Sequence, residues 1–248
     1  MTTRNFGKPV PRTEDLRLIT GQGSFTDDAG SNALSLVMVR SPYANARVVS
    51  IDVSEAEQLD GVTAVLTYED LPNRLAEPLP LLIPHPSLSA PRTQHILAKD
   101  YVRYVGQAVV AIFAADRYIG EDAAERVIVE YESEVAVVGI DGALGPNLVH
   151  QDVPRNVAAD HSEHVGDVDL ALAKAPHVLE LDFKMERSMG SALEGRASHA
   201  TWDRHSRKLQ IQNSTQTPTS VRFAVANILE IPDEQIEVFA IDVGGGFG

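Results

Sequence analysis

The stretch from Gln107 to Glu132 constrains the fold more than any other. It opens with QAVVAIFAA, apolar at almost every position. Strand side chains alternate between two faces, so a run apolar at both parities predicts a strand covered on both sides. Asp116 follows as a helix N-cap, since its carboxylate can accept from backbone N–H groups that have no partner in the first turn. The spacing predicts a helix through about Arg126, and VIVEY follows it as a second strand. Ile119, Ala123 and Val127 recur every four residues to form one packing face. Arg117 with Glu121, and Asp122 with Arg126, set opposite charges at the same interval on the solvated side. Gly120 costs such a helix about 1 kcal/mol relative to alanine, so packing must outweigh propensity there.

Upstream, residues 1–33 are rich in turn formers (Gly21, Gly23, Asp27, Asp28, Gly30) and read as an extended arm. Strands are expected at Leu34 to Val39, near Arg47 to Val53 and at Val62 to Thr67. A brief helix from Ser54 is expected to open with a Ser54/Glu57 capping box. Six prolines between Leu71 and Arg92 rule out a regular ladder and predict a surface-running segment. Its leucines and Ile83 favour docking over a free linker. Periodicity is lost from Gly139 to Asn156, through Gly142, Gly145, Pro146 and Pro154, which places a domain boundary there. Beyond it the pattern predicts a helix near Asp167 to Lys174 and a strand near Val178 to Phe183. Ala197 to Trp202 and Lys208 to Asn213 read as a hairpin-like pair. A helix begins at Thr217-Pro218 with the stripe Val221, Ala224, Val225, Ile228, and Pro232 stops it. A last strand, Ile236 to Val243, runs into Gly244, Gly245, Gly246, Phe247 and Gly248.

Composition narrows the function. The chain has 248 residues, 44% of them hydrophobic, which suits one or two globular domains. Its net charge of -14 argues against nucleic-acid binding, which rests on basic neutralisation of phosphates. With no cysteine, the chain carries no disulfide, thiolate zinc site or iron-sulfur ligation. Any cluster needed for electron transfer is therefore expected on another polypeptide. The longest apolar stretch, around Ala108 to Ala115, falls well short of the roughly 20 residues of a membrane helix. Met1 to Val10 has no continuous apolar core, so a cytoplasmic location is expected.

Several residues could carry chemistry. Three consecutive glycines after a strand let the backbone approach a ligand and present N–H donors to anionic oxygens, although a flexible turn is the plainer reading. Gln216 stands between a strand end and a helix start, where α/β units commonly face ligands. Glu194 and Arg196 read as an ion pair or a solvated edge. His161 and His164, with Asp160 and Glu163, lack a convincing third ligand and read as a solvated loop. No metal-ligating set is assigned.

Taken in order, several strings resemble the large subunit of the xanthine oxidase and aldehyde oxidase family of molybdenum hydroxylases. PRTEDLRLITGQGSFTDD resembles that family's entry segment. VRSPYANARVVSIDVSEAEQLDGVTAVLTYEDL and HILAKDYVRYVGQAVVAIFAADRYIGEDAAERVIVEYE resemble its a/b hammerhead domain. GDVDLALAKA, STQTP at Ser214 to Pro218, and DVGGGFG resemble the start of its molybdopterin-binding region. The resemblance implies that Gln216 approaches the apical oxo ligand of molybdenum. It implies that Gly245, Gly246, Phe247 and Gly248 lie beside the cofactor, a molybdopterin expected in its cytosine dinucleotide form. It further implies a catalytic glutamate on a segment beyond this sequence, so no catalytic residue is assigned here. Glu194, Gly195 and Arg196 stand where the family usually has glutamate, proline and arginine, so a permissive residue replaces a rigid one.

The expected fold is α+β, with a hammerhead-like domain and its arm over residues 1–145 and an incomplete molybdopterin-binding domain over 146–248. The expected function is part of an oxidoreductase that hydroxylates an aldehyde, N-heterocycle or related small molecule with water as oxygen source. Its expected partners are a complementing molybdopterin-binding chain, an iron-sulfur subunit and an FAD subunit. A noncatalytic docking or assembly module, or a decayed gene product, is the competing expectation.

Overall fold

The computed structural model describes residues 7–30, 32–81, 83–186 and 188–247. Gly248 lies outside them. The chain compacts into two units that are not consecutive stretches: residues 34–187 with 227–230, and residues 1–33 with 188–226 and 231–248. Helix and sheet are mixed, giving the α+β class, and among the described residues no helix is long and apolar enough to cross a membrane.

The arm carries one short helix, α1 (Asp15–Ile19). The larger unit then runs β1 (Ser35–Arg40), β2 (Ala46–Asp52), α2 (Ser54–Glu57), β3 (Val62–Leu66), α3 (Asn73–Ala76), β4 (Tyr101–Val102), β5 (Ala108–Ala114), α4 (Arg117–Ala124), β6 (Ile128–Ser133), α5 (Gly139–Ala143) and α6 (Val168–Lys174). Two antiparallel three-stranded sheets result, ordered β1-β5-β3 and β4-β2-β6. The central place of β5 explains its sequence: Val109, Val110, Ile112 and Ala114 are fully buried. Helix α4 packs on this sheet through its glycine, because a Cβ at Gly120 would stand 2.6 Å from Val37 Cγ2. The close approach outweighs the propensity cost of Gly120. Asp116 caps the helix by accepting from Ile119 N–H at 2.9 Å, and Arg117 pairs with Glu121 at 2.7 Å. The helix stops at Ala124, with Glu125 as its C-cap, two residues short of the expected Arg126.

Three local expectations are corrected here. Ser54 makes no capping box with Glu57; instead Asp52, two residues back, accepts from Ser54 N–H at 3.0 Å and is held below its ordinary pKa by the Ser54 hydroxyl and N–H. Val178 to Phe183 forms no strand, and Leu179, Leu181 and Phe183 are exposed. In the proline-rich segment Leu79 N–H bonds Gln94 C=O at 2.9 Å and Leu88 bridges Ala159, yet Ile83 is exposed.

Beyond residue 187 lie β7 (Ser198–Asp203), β8 (Lys208–Asn213), α7 (Pro218–Leu229) and β9 (Ile236–Phe239); the three strands and residues 218–226 of α7 belong to the smaller unit. β7 and β8 form the expected antiparallel pair, while β8 and β9 run parallel with α7 as the crossover between them. Strand β9 ends at Phe239, not Val243: its ladder with β8 closes at Gln212 opposite Phe239, and Asp242 then turns to other partners.

Candidate functional site

Parallel pairing of β8 and β9 sends both strands out of the sheet at the same end. The segment after β8 carries Gln216 and the segment after β9 carries the glycine string, so the two are brought side by side where ligands commonly meet α/β units. A Cβ built on Gly246 would stand 2.3 Å from Gln216 Nε2 and 2.8 Å from its Cδ. In this arrangement the amide occupies the space that a Cβ at position 246 would take. Gln216 itself is exposed, so the amide remains open to a ligand. Around it, Ser214 N–H bonds Ala197 C=O at 3.1 Å and Thr215 Oγ1 accepts from Thr217 N–H at 3.1 Å, which fixes the turn into α7.

The glycine string is a packed element, not a loose turn. Glu194 lies against it, with Oε2 accepting from Gly244 N–H at 2.7 Å while Oε1 accepts from Thr26 N–H of the arm at 3.2 Å. A Cβ at Gly244 would fall 2.3 Å from Glu194 Cβ. Gly245 takes φ +153°, which L side chains rarely adopt, and Phe247 closes over Gly190. Among the described residues the N–H groups of Gly245 and Gly246 have no hydrogen-bond partner.

A second carboxylate fixes the approach to the string. Asp242 accepts both ends of the Arg17 guanidinium, at 2.5 and 2.6 Å, and Ser24 N–H at 2.8 Å, while its own N–H bonds Ser24 C=O at 3.2 Å. The Arg17 hydrogen bond, then that of Ser24, lowers its carboxyl to about 2. Residues 17–26 of the arm are thereby tied to the exit of β9 and to the glycine string. The sequence reading did not find this framework. Its signals were a carboxylate interrupting an apolar run just before the glycines, and a glutamate among small residues. Of the two readings for Glu194 and Arg196, an ion pair or a solvated edge, no ion pair between them forms, because the Glu194 oxygens are committed to Gly244 and Thr26, and Arg196 is exposed.

The histidines do not gather. Among the described residues no group of three His, Cys, Asp or Glu side chains could hold a metal ion, and His161 meets His85 edge to face at 5.8 Å. The donors at the site are one side-chain amide and backbone N–H groups. Such donors address anionic oxygen atoms rather than bind a metal directly.

Comparisons with known proteins match along most of the chain. Residues 20–135 match the family described as "Aldehyde oxidase and xanthine dehydrogenase, a/b hammerhead domain", and residues 149–248 match "Molybdopterin cofactor-binding domain". The chain is 35% identical over 249 residues to the nicotine 6-hydroxylase large subunit of Paenarthrobacter nicotinovorans, covering 99% of this chain and 30% of that protein. It is 34% identical over 261 residues to the carbon monoxide dehydrogenase large chain of Afipia carboxidovorans, covering 99% and 31%. The structure of quinoline 2-oxidoreductase from Pseudomonas putida 86 superposes with a TM-score of 0.88 at 34% identity, covering 99% of this chain and 31% of that one. The chain thus spans about a third of the length of these relatives.

Proposed function

The chain belongs to the xanthine dehydrogenase and aldehyde oxidase family of molybdenum hydroxylases, and from that premise we propose that it supplies one wall of the cofactor site in an oxidoreductase that hydroxylates a small organic molecule with water as oxygen source. The observation that carries this reading is the contact of Gln216 with Gly246. It sets the amide where a Cβ at position 246 would stand, and places that donor beside two backbone N–H groups that have no partner among the described residues. The residues present fit the anionic periphery of a molybdenum cofactor. Gln216, Gly245, Gly246 and Phe247 would border it, and Gly248 is assigned with them by resemblance. When bound, the cofactor supplies the two-electron redox chemistry. The contribution of this chain would be electrostatic and positional: the Gln216 amide would donate to an anionic oxygen of the bound group, and Glu194 and Asp242 hold the glycine string in place beside it.

The same reading takes the cofactor in its cytosine dinucleotide form and places the catalytic base in the remaining two thirds of a relative-sized large subunit. It assigns electron transfer to iron-sulfur and flavin subunits. The absence of cysteine from this chain and the description of its relatives as a large subunit and a large chain support a multi-subunit assembly. The division into sequence modules 1–145 and 146–248 is part of the proposal, as is a cytoplasmic location, which rests on the sequence reading alone. Substitution Gln216→Ala in the assembled enzyme should lower kcat by on the order of 10²-fold with little change in KM or molybdenum content, as expected for loss of one donor to developing charge. Wild-type turnover in that variant would remove Gln216 from the mechanism.

A further inference from the structure

The larger unit contains a cavity of about 650 Å³ that the proposed cofactor wall does not involve, since its lining comes from residues 79–107 and His150. That volume is within the range of roughly 300 to 1,000 Å³ common for small-molecule sites. In a chain of net charge -14 the lining is cationic: Arg92, Lys99 and Arg103 face a single carboxylate, Asp100. Arg92 is paired with Asp152 outside the lining. The other two cations are held chiefly by neutral partners. Arg103 lies 4.3 Å over the Tyr101 ring, donates to Asn45 Oδ1 at 2.8 Å and meets Glu134 only at 3.9 Å. Lys99 lies 5.4 Å from the Tyr68 ring centre. Cation–π contacts fix such groups without cancelling their charge.

A buried amide adds a second, independent observation. Gln107 lines the cavity and is only 8% exposed. Its Oε1 accepts from Arg103 N–H at 2.7 Å, and because a backbone N–H can only donate, this contact fixes which end of the amide is oxygen. The Nε2 end, with two donors, has no partner among the described residues. Burial and the charges of Arg103 and Arg92 also push His150 below its ordinary pKa, in keeping with positive potential in this part of the cavity.

We propose that this cavity is a binding site for a phosphate-bearing small molecule, with Lys99 and Arg103 supplying charge and the Gln107 Nε2 group, which has no partner among the described residues, supplying a donor. Multiple oxygens on one centre suit cations and an amide converging from different sides. The test uses the full chain in the state in which it purifies, in buffer of constant ionic strength set by chloride. Inorganic phosphate and phenyl phosphate are each titrated by calorimetry, and Lys99 is followed by its protection from acetylation, read by peptide mass spectrometry. Saturable binding that protects Lys99 is expected. Gln107→Glu keeps the acceptor for Arg103 N–H but replaces the donor with a negative oxygen, and Lys99→Gln removes a charge while leaving the fold intact. Each should weaken binding at least tenfold, as loss of a charge-assisted contact does. Tighter binding of phenyl phosphate would identify an aromatic ester as the ligand type, and equal binding would identify free phosphate. No saturable binding, equal affinity in the variants, or Lys99 already shielded by a copurified polypeptide would each overturn the proposal.

Discussion

Strand–helix–strand order occurs twice in the molecule, once with the two strands in different sheets (β5 and β6) and once with them as parallel neighbours (β8 and β9), and the two stretches are stabilised differently. In β5-α4-β6 the first strand is the centre of a sheet and is apolar on both faces, and the helix presses a glycine against Val37. Its core joins Ala46, Ala56, Val65, Ala98, Val102, Val109, Val110, Ile112 and Ala123. In β8-α7-β9 the strands are parallel neighbours and the buried core shrinks to Ile211, Ala226 and Ile236. There the polypeptide is held by carboxylates, Glu194 and Asp242, reaching the arm and the glycine string. The difference separates two tasks. Apolar burial is non-directional and makes a stable body; hydrogen bonds to charged groups are directional and fix a backbone where a ligand must be met.

The largest expected effect comes from the apolar stretch. Ile112→Ala should destabilise the fold by roughly 2–5 kcal/mol, the range for deleting several buried methyl and methylene groups where the surroundings cannot collapse. Ile211→Ala should fall toward the low end of that range, because Leu209, Val225 and Val238 around it are only partly buried and can relax. Denaturant unfolding followed by circular dichroism compares the two. Equal costs, or the reverse order, would break the contrast between the stretches.

A smaller effect should appear with acid, and only in the polar stretch. Asp242 is held at about 2 against an ordinary 3.8. A carboxylate depressed in the folded state contributes stability that is fully present above its unfolded value and is lost as pH falls through the folded one. The clamp should therefore be intact above about pH 4 and released between there and about pH 2. Protection of the Ser24 amide, corrected for intrinsic exchange, should drop across that window while the amides of β5 stay protected. Constant Ser24 protection down to pH 2 would show that Arg17 and Asp242 do not hold the arm.

The two stretches also differ in how far they could be read from sequence. Residues 107–132 were legible because two periodicities, a cap and the charge pairs agree within a span of neighbours; only the Asp122 and Arg126 pair did not form among the described residues. The clamp was not legible, because Arg17 and Asp242 lie 225 positions apart and Glu194 reaches Thr26 across 168, separations at which local pattern carries no information. The overrun of the last strand has a similar cause. Apolar character continues to Val243, but a strand needs a partner and β8 no longer runs beside it. Leu179, Leu181 and Phe183 look like a strand for the same reason, and no described strand lies beside them to receive their backbone groups. Gln216 and the glycines were identified through family resemblance. Their adjacency follows from the parallel register of β8 and β9.

The smallest effect sharpens the comparison by holding local chemistry constant. Asp116 and Asp167 are both N-caps, each accepting from the N–H three residues on at 2.9 Å, Ile119 for α4 and Leu170 for α6. Removing such a cap costs typically about 1 kcal/mol of helix stability. Where that cost registers depends on what the helix buries. Helix α4 buries Gly120 and Ala123, so α4 cannot fray without opening the core, and Asp116→Ala should lower the global unfolding free energy by about 1 kcal/mol. Helix α6 buries no residue, with Val168, Leu170 and Leu172 all exposed, so its loss leaves the core untouched. Asp167→Ala should therefore speed amide exchange within residues 168–174 while the global midpoint stays where it was. Thermal melts alongside residue-resolved hydrogen exchange on both variants check the pair. A global loss from Asp167→Ala equal to that from Asp116→Ala would mean that α6 is packed against something in solution, and the distinction between a helix held by its core and one held only by its own hydrogen bonds would fail.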